Sequence, residues 1–158
     1  MLHVIELSLR LGVVAPTGCR GHVFDASQDQ TLAQQIVIAV VDDDEAVREA
    51  LTGLMKSLGY RAAAFQSAED FLKSKRRRGA ACLIADVQMP GMTGLELHDR
   101  LVASGKPIPT ILITAYPDET VRARMLQAGV KGYLAKPFNE DDLLACLRSA
   151  LDDHADAG

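Results

Sequence analysis

From residue 36 onward, short apolar runs alternate five times with stretches of helical periodicity, and this alternation constrains the chain more than any other feature it carries. Runs of four to eight apolar residues that do not alternate in polarity belong to strands buried on both faces. The strands are expected at Ile36–Val41, Arg61–Phe65, Ala81–Asp86, Pro109–Thr114 and Gly132–Ala135. Between them, Ala46, Val47, Ala50, Leu51, Leu54, Met55 and Leu58 recur at amphipathic helical spacing, as do Leu143, Leu144, Leu147 and Leu151 at the end. Strand and helix in strict alternation imply an α/β fold, a parallel sheet covered on both faces by helices, with right-handed crossovers.

The punctuation agrees. Gly59, Gly79, Gly105 and Gly129 each follow a helical stretch, where a left-handed C-terminal residue is expected, and Ser67 and Asn139 are suited to N-cap helices. The apolar runs fall far short of the roughly 20 residues of a membrane-spanning helix. Formal charge divides unevenly: −1 over residues 1–35, zero over 36–151, and −3 over the acidic tail 152–158. A neutral centre recruits no nucleic acid globally. Three cysteines, Cys19, Cys82 and Cys146, are an odd number, and two lie in apolar periodic segments, so they frame no disulfide scaffold. The first fourteen residues carry Glu6 and Arg10 and have no basic region ahead of the apolar run, which speaks against a secretory signal and for a cytoplasmic protein. Residues 1–35 lack the alternation and read as a poorly ordered N-terminal extension, with a docking or dimerisation segment as the sharper alternative.

In a parallel sheet every strand points the same way, so residues at the carboxyl ends of different strands meet at one edge. Here those positions hold Asp42, Asp43 and Asp44 after the first strand, Asp86 at the end of the third, Thr114 at the end of the fourth, and Lys136-Pro137 after the fifth. Carboxylates packed so densely repel one another without a cation, and a hard, oxygen-seeking ion such as Mg²⁺ suits them. Asp86, central and preceding a loop, is placed to act as a carboxylate nucleophile towards phosphorus. Lys136 brings a second cation and Thr114 a hydroxyl donor to a phosphoryl oxygen. A cis bond before Pro137 is a further expectation.

Four segments, VVDDDEAVREAL, DVQMPGMTGLEL, PTILITAYPDE and GVKGYLAKPF, resemble in order the signature segments of the receiver domain of two-component response regulators. The resemblance covers residues 36 to about 151 and is nearest to receivers that precede a helix-turn-helix output domain. It implies a flavodoxin-like, doubly wound (βα)5 fold with strand order 2-1-3-4-5. It also implies that a histidine kinase phosphohistidine supplies a phosphoryl group to Asp86. Asp43, Asp86 and the Gln88 backbone carbonyl are then the direct ligands of Mg²⁺, with Asp42 acting through water. Thr114 and Tyr133 become the switch pair and Lys136 the phosphate-site lysine. Gln88 and Tyr116 fall where the family tunes acyl-phosphate hydrolysis, with the bulk of Tyr116 expected to slow water.

The implied output is a surface of the fourth helix, fifth strand and fifth helix that changes on phosphorylation, with a phosphorylation-dependent homodimer among its outcomes. Such a domain is a switch that assists its own phosphorylation and dephosphorylation, not an enzyme. Only LDDHADAG follows the last helical pattern, so the expectation is a stand-alone receiver acting on a downstream protein or phosphotransfer partner, with neither nucleic acid nor membrane. The alternative is a Mg²⁺-dependent phosphohydrolase working through an aspartyl phosphate. That class wants an acid two residues after the nucleophile, where this chain has Gln88.

Three other features have ordinary readings. The run Lys73, Lys75, Arg76, Arg77, Arg78 lacks interleaved aromatics and reads as a solvated helix end. Cys19-x-x-His22 is half a zinc site without a second pair. His98, beside Glu96, Asp99 and Arg100, reads as a solvated residue on a polar helix face.

Overall fold

The computed structural model describes residues 35–156. The expectations for the N-terminal extension up to Gln34, and for Cys19-x-x-His22, lie outside these residues. Five strands, β1 (Val37–Val41), β2 (Arg61–Phe65), β3 (Ala80–Asp86), β4 (Thr110–Thr114) and β5 (Gly132–Ala135), pair in parallel in the order β2-β1-β3-β4-β5. The helices are α1 (Glu45–Ser57), α2 (Ala68–Lys73), α3 (Gly94–Ala103), α4 (Glu119–Gln127) and α5 (Glu140–Asp156). Each expected strand lies within one residue of its observed bounds, and the doubly wound topology is the one expected. No helix among the described residues is long and apolar enough to cross a membrane.

Alternation along the strands divides the apolar runs between two cores. Ile38, Val40, Cys82, Ile84, Ile111 and Ile113 face one side, where Leu51 and Met55 of α1 and Leu143 and Leu147 of α5 cover them. Ala39, Val41, Leu83, Ala85 and Leu112 face the other, under Phe71 of α2, Leu97 and Leu101 of α3 and Met125 of α4. β3 and β4 are buried along their whole length, as central strands with helices on both faces must be. Each large side chain so buried contributes about 1.5–3 kcal/mol. The Cys82 thiol is buried in the first of these cores, and that burial pushes its pKa up to about 12, so it is an inert packing group.

Helix ends follow local chemistry. Asp44 accepts from the N–H groups of Ala46 and Val47, Ser67 from Asp70, and Asn139 from Asp142. Thr93 and Glu96 close a reciprocal capping box on α3. Gly59, Gly105 and Gly129 have positive φ, as expected, and Gly79 does not. The reason is that α2 stops at Lys73, and Ser74 caps a short 3-10 turn, Lys75–Gly79, that carries most of the basic run with Lys75, Arg76 and Arg78 exposed. The fourth positive-φ glycine is Gly91, in the loop after β3. α5 continues five residues past the expected end at Leu151, and Lys131 pairs with Asp153 on that added stretch.

His98 corrects the sequence reading. It is buried, with Nε2 3.3 Å from the carbonyl oxygen of Ala128 and no partner for Nδ1. Along α3, Gly94, Leu97, His98 and Leu101 share the buried stripe, whereas Glu96, Asp99 and Arg100 flank it. The charged neighbours point away from it, and Gly94 and Leu101, one turn away on either side, share its burial.

Gly94 is needed for close approach, since a Cβ there would lie 2.4 Å from the Asp86 carbonyl oxygen. Gly53 sits exposed inside α1 with nothing within 4 Å of such a Cβ. Gly94→Ala is therefore expected to lower stability by about 2 kcal/mol or more. Gly53→Ala is expected to raise it by about 0.5–1 kcal/mol, with both effects read as shifts in urea midpoint.

Candidate functional site at the carboxyl edge of the sheet

The strand alternation that sorts the core also aims the polar groups. Asp42 extends the Ile38–Val40 row, Asp86 extends the Cys82–Ile84 row, and Lys136 falls on the same side after β5. Lys136 Nζ lies 3.3 Å from Asp42 Oδ2 and 3.4 Å from Asp86 Oδ2, joining the ends of three strands. Asp42 and Asp86 are 1% and 7% exposed, so these are buried carboxylates sharing one ammonium. Asp42 Oδ1 accepts from the Asp44 N–H at 2.9 Å, and Asp86 Oδ1 from the Gln88 N–H at 3.3 Å. The Lys136–Pro137 peptide is cis, as the sequence led us to expect.

Burial raises the pKa of Asp86, the charge of Asp42 adds to that, and Lys136 only partly opposes it. Burial by itself would lower the pKa of Lys136, but Asp42 and then Asp86 outweigh it, and the ammonium is held above its ordinary range. Asp43 is exposed beside this pair, and carboxylate oxygens of Asp42, Asp43 and Asp86 lie within 4.8 Å of one another. An all-oxygen donor set, two-thirds buried and short of positive charge, fits a hard cation. Asp44, grouped with the strand-end acids by sequence, is turned away to cap α1.

Thr114 is fully buried on the opposite side of the sheet, in line with Leu112. Its Oγ donates to Gln88 Oε1 at 2.8 Å and accepts from the Tyr116 N–H at 3.0 Å. Tyr133 pairs in register with Leu112, lies half-buried on that same side, and lines a cavity of about 580 Å³ with Pro117, Phe138 and Cys146. The Tyr116 ring is 75% exposed and stands in solvent, which lends no support to its shielding the acid cluster.

Two supporting residues escaped the sequence reading. Arg48 Nη1 donates to the Asp42 carbonyl oxygen at 2.7 Å, fixing the turn that carries the acids. Glu69 Oε1 accepts from the Met92 N–H at 2.9 Å and tethers the β3–α3 loop to α2, and its carboxyl is lowered by its own backbone N–H and then by that of Met92. A Cβ on Gly91 would lie 2.8 Å from that same Glu69 oxygen. Only the pairing of an acid in α2 with a glycine in a distant loop would have revealed the tether.

The family model of the response regulator receiver domain matches residues 38–148. This chain belongs to the response regulator receiver family. It is 42% identical over 118 residues to the response regulator protein TmoT of Ectopseudomonas mendocina, covering 75% of this chain and 54% of that protein. It is 35% identical over 114 residues to the transcriptional regulatory protein FixJ of Bradyrhizobium diazoefficiens, covering 72% of this chain and 56% of FixJ. Among solved structures, that of response regulator StyR superposes with a TM-score of 0.72 at 38% identity, over 78% of this chain and 62% of StyR. The chain spans about half the length of the curated relatives it matches. The stand-alone expectation therefore draws no support from them, nor does the absence of a nucleic-acid partner from FixJ.

Folding raises the Asp86 pKa, so the folded receiver holds this proton more tightly than the unfolded chain, and this group's contribution to stability falls as pH rises through the shifted value. Asp86→Asn removes the buried charge while Lys136 keeps Asp42 as a partner. The substitution is expected to raise the melting temperature of the metal-free receiver at pH 7, with the gain shrinking as pH is lowered. Calorimetry in a chelator across pH checks this.

Proposed function

We propose that this domain is a phospho-acceptor switch of two-component signalling, taking a phosphoryl group from a histidine kinase phosphohistidine onto Asp86. The observation that carries the reading is a buried carboxylate at the sheet edge whose ammonium partner is shared with a second buried acid. An Asp86 oxygen attacks phosphorus, the P–N bond to the donor imidazole breaks, and the electron pair leaves with the imidazole. Asp43, Asp86 and the Gln88 backbone carbonyl would hold Mg²⁺, with Asp42 behind them through water. When bound, Mg²⁺ would neutralise charge on the transferring group. Lys136 offsets the remaining charge from the other side, and its position between two carboxylates keeps it protonated throughout.

Thr114 then donates its hydroxyl to a phosphoryl oxygen, and Tyr133 moves inward on the same face of the sheet, changing the surface made by α4, β5 and α5. That surface engages a downstream protein, a phosphotransfer partner or a second receiver. The domain assists its own phosphorylation and dephosphorylation, with the phosphohistidine as the source of the phosphoryl group. No observation favours the phosphohydrolase reading, because the position two residues after Asp86 is filled by an amide that is engaged on Thr114.

Incubation with acetyl phosphate and Mg²⁺ is expected to add the mass of one phosphoryl group, lost in Asp86→Asn and with EDTA. An intact mass unchanged across conditions would sink the reading. Lys136→Ala is expected to take up phosphoryl more slowly and to leave the Tyr133 surface unswitched, followed by NMR. A wild-type conformational response in that variant would contradict the role given to the ammonium.

A further inference from the structure

We propose that the Gln88 side chain is a latch on Thr114, holding its hydroxyl away from the acceptor until Asp86 is charged; the inference rests on Asp86 being that acceptor. A hydroxyl has one proton to give. In this structure Thr114 gives it to Gln88 Oε1 at 2.8 Å, while the Tyr116 N–H at 3.0 Å occupies the acceptor side of the same oxygen and fixes its orientation. Its one proton is therefore committed, and the hydroxyl cannot donate to a phosphoryl oxygen without leaving Gln88.

Gln88 also reaches the acceptor directly, since its backbone N–H donates to Asp86 Oδ1 at 3.3 Å. One residue thus touches the acceptor through its main chain and the switch hydroxyl through its side chain. The burial of the partners makes the latch releasable. Thr114 is fully buried and must always have an acceptor for its proton, whereas Gln88 is exposed and its freed amide passes to water. Switching exchanges the O–H···O=C bond to Gln88 for an O–H···O–P bond to the phosphoryl group, and the strength of the first opposes the exchange. A neutral hydrogen bond of ordinary net strength biases such an equilibrium by about two- to tenfold. Gln88 is accordingly a positioning residue that sets how far the unphosphorylated domain rests from its switched state.

Gln88→Met keeps the backbone carbonyl and the side-chain length and removes the acceptor. The test uses the full chain with methyl-labelled threonine and fluorinated tyrosine, of which there are three residues. In metal-free, unphosphorylated Gln88→Met, the Thr114 and Tyr133 resonances are expected to move towards the positions wild type adopts with Mg²⁺ and beryllofluoride. Beryllofluoride should bind the variant about two- to tenfold more tightly than wild type. In a Thr114→Ala background, Gln88→Met should leave that affinity unchanged within twofold. Unmoved resonances overturn the latch, as does an equal affinity change in the Thr114→Ala background, which would mean that Gln88 acts on the phosphoryl group directly. A wild-type protein that binds no beryllofluoride overturns the acceptor reading itself, whereas binding by wild type with no response to Gln88→Met overturns the latch alone.

Discussion

One ammonium group between two buried carboxylates organises this molecule's working edge. Lys136 lies within 3.4 Å of carboxylates from the ends of β1 and β3, although its own strand, β5, is two places away from β3 in the sheet. Such a contact is long-range in sequence and exists only when all the intervening strands are in register. The two buried acids are unfavourable neighbours, and the lysine offsets part of that repulsion. The residual imbalance leaves the edge short of positive charge, which suits the phosphoryl transfer proposed for it. An edge fully neutralised by protein groups would gain little from a cation, and one without the lysine would hold the two buried acids without that partial offset.

Much of this was legible in the chain. The five strands and their common direction follow from short apolar runs, and that direction alone brings Asp42, Asp43, Asp86, Thr114 and Lys136 to one edge. Period-two alternation then separates Asp42, Asp86 and Lys136 from Thr114 and Tyr133. What was not legible depends on contacts between elements. Asp44 looks like a fourth member of the acid cluster and differs only because the next peptide begins a helix whose N–H groups claim its oxygen. His98 sits among charged neighbours in the sequence, yet its helical neighbours are Gly94, Leu97 and Leu101. Gly79 follows a helical pattern, but a 3-10 turn intervenes and requires no left-handed residue there.

Glu69 and Arg48 show a second kind of gap. Neither lies at a strand end, and neither side chain bonds to Asp86. Both hold loop backbone: Arg48 the turn after β1, Glu69 the loop after β3. Charged side chains that satisfy backbone groups carry no signature in a single sequence, because any exposed arginine or glutamate looks the same. Their effect is to make the loops bearing the acids as determinate as the strands beneath them.

The division of polar groups between the two faces of the sheet has a consequence for how such a domain diversifies. Asp42, Asp86 and Lys136 stand on the face covered by α1 and α5, and Thr114 and Tyr133 on the face covered by α2, α3 and α4, with a single layer of backbone between them. On the proposed function, loading and reporting would thus lie on opposite sides of one sheet. On that reading, surface residues around Tyr133 could change the partner that is engaged while the acids and the lysine on the other face stay as they are.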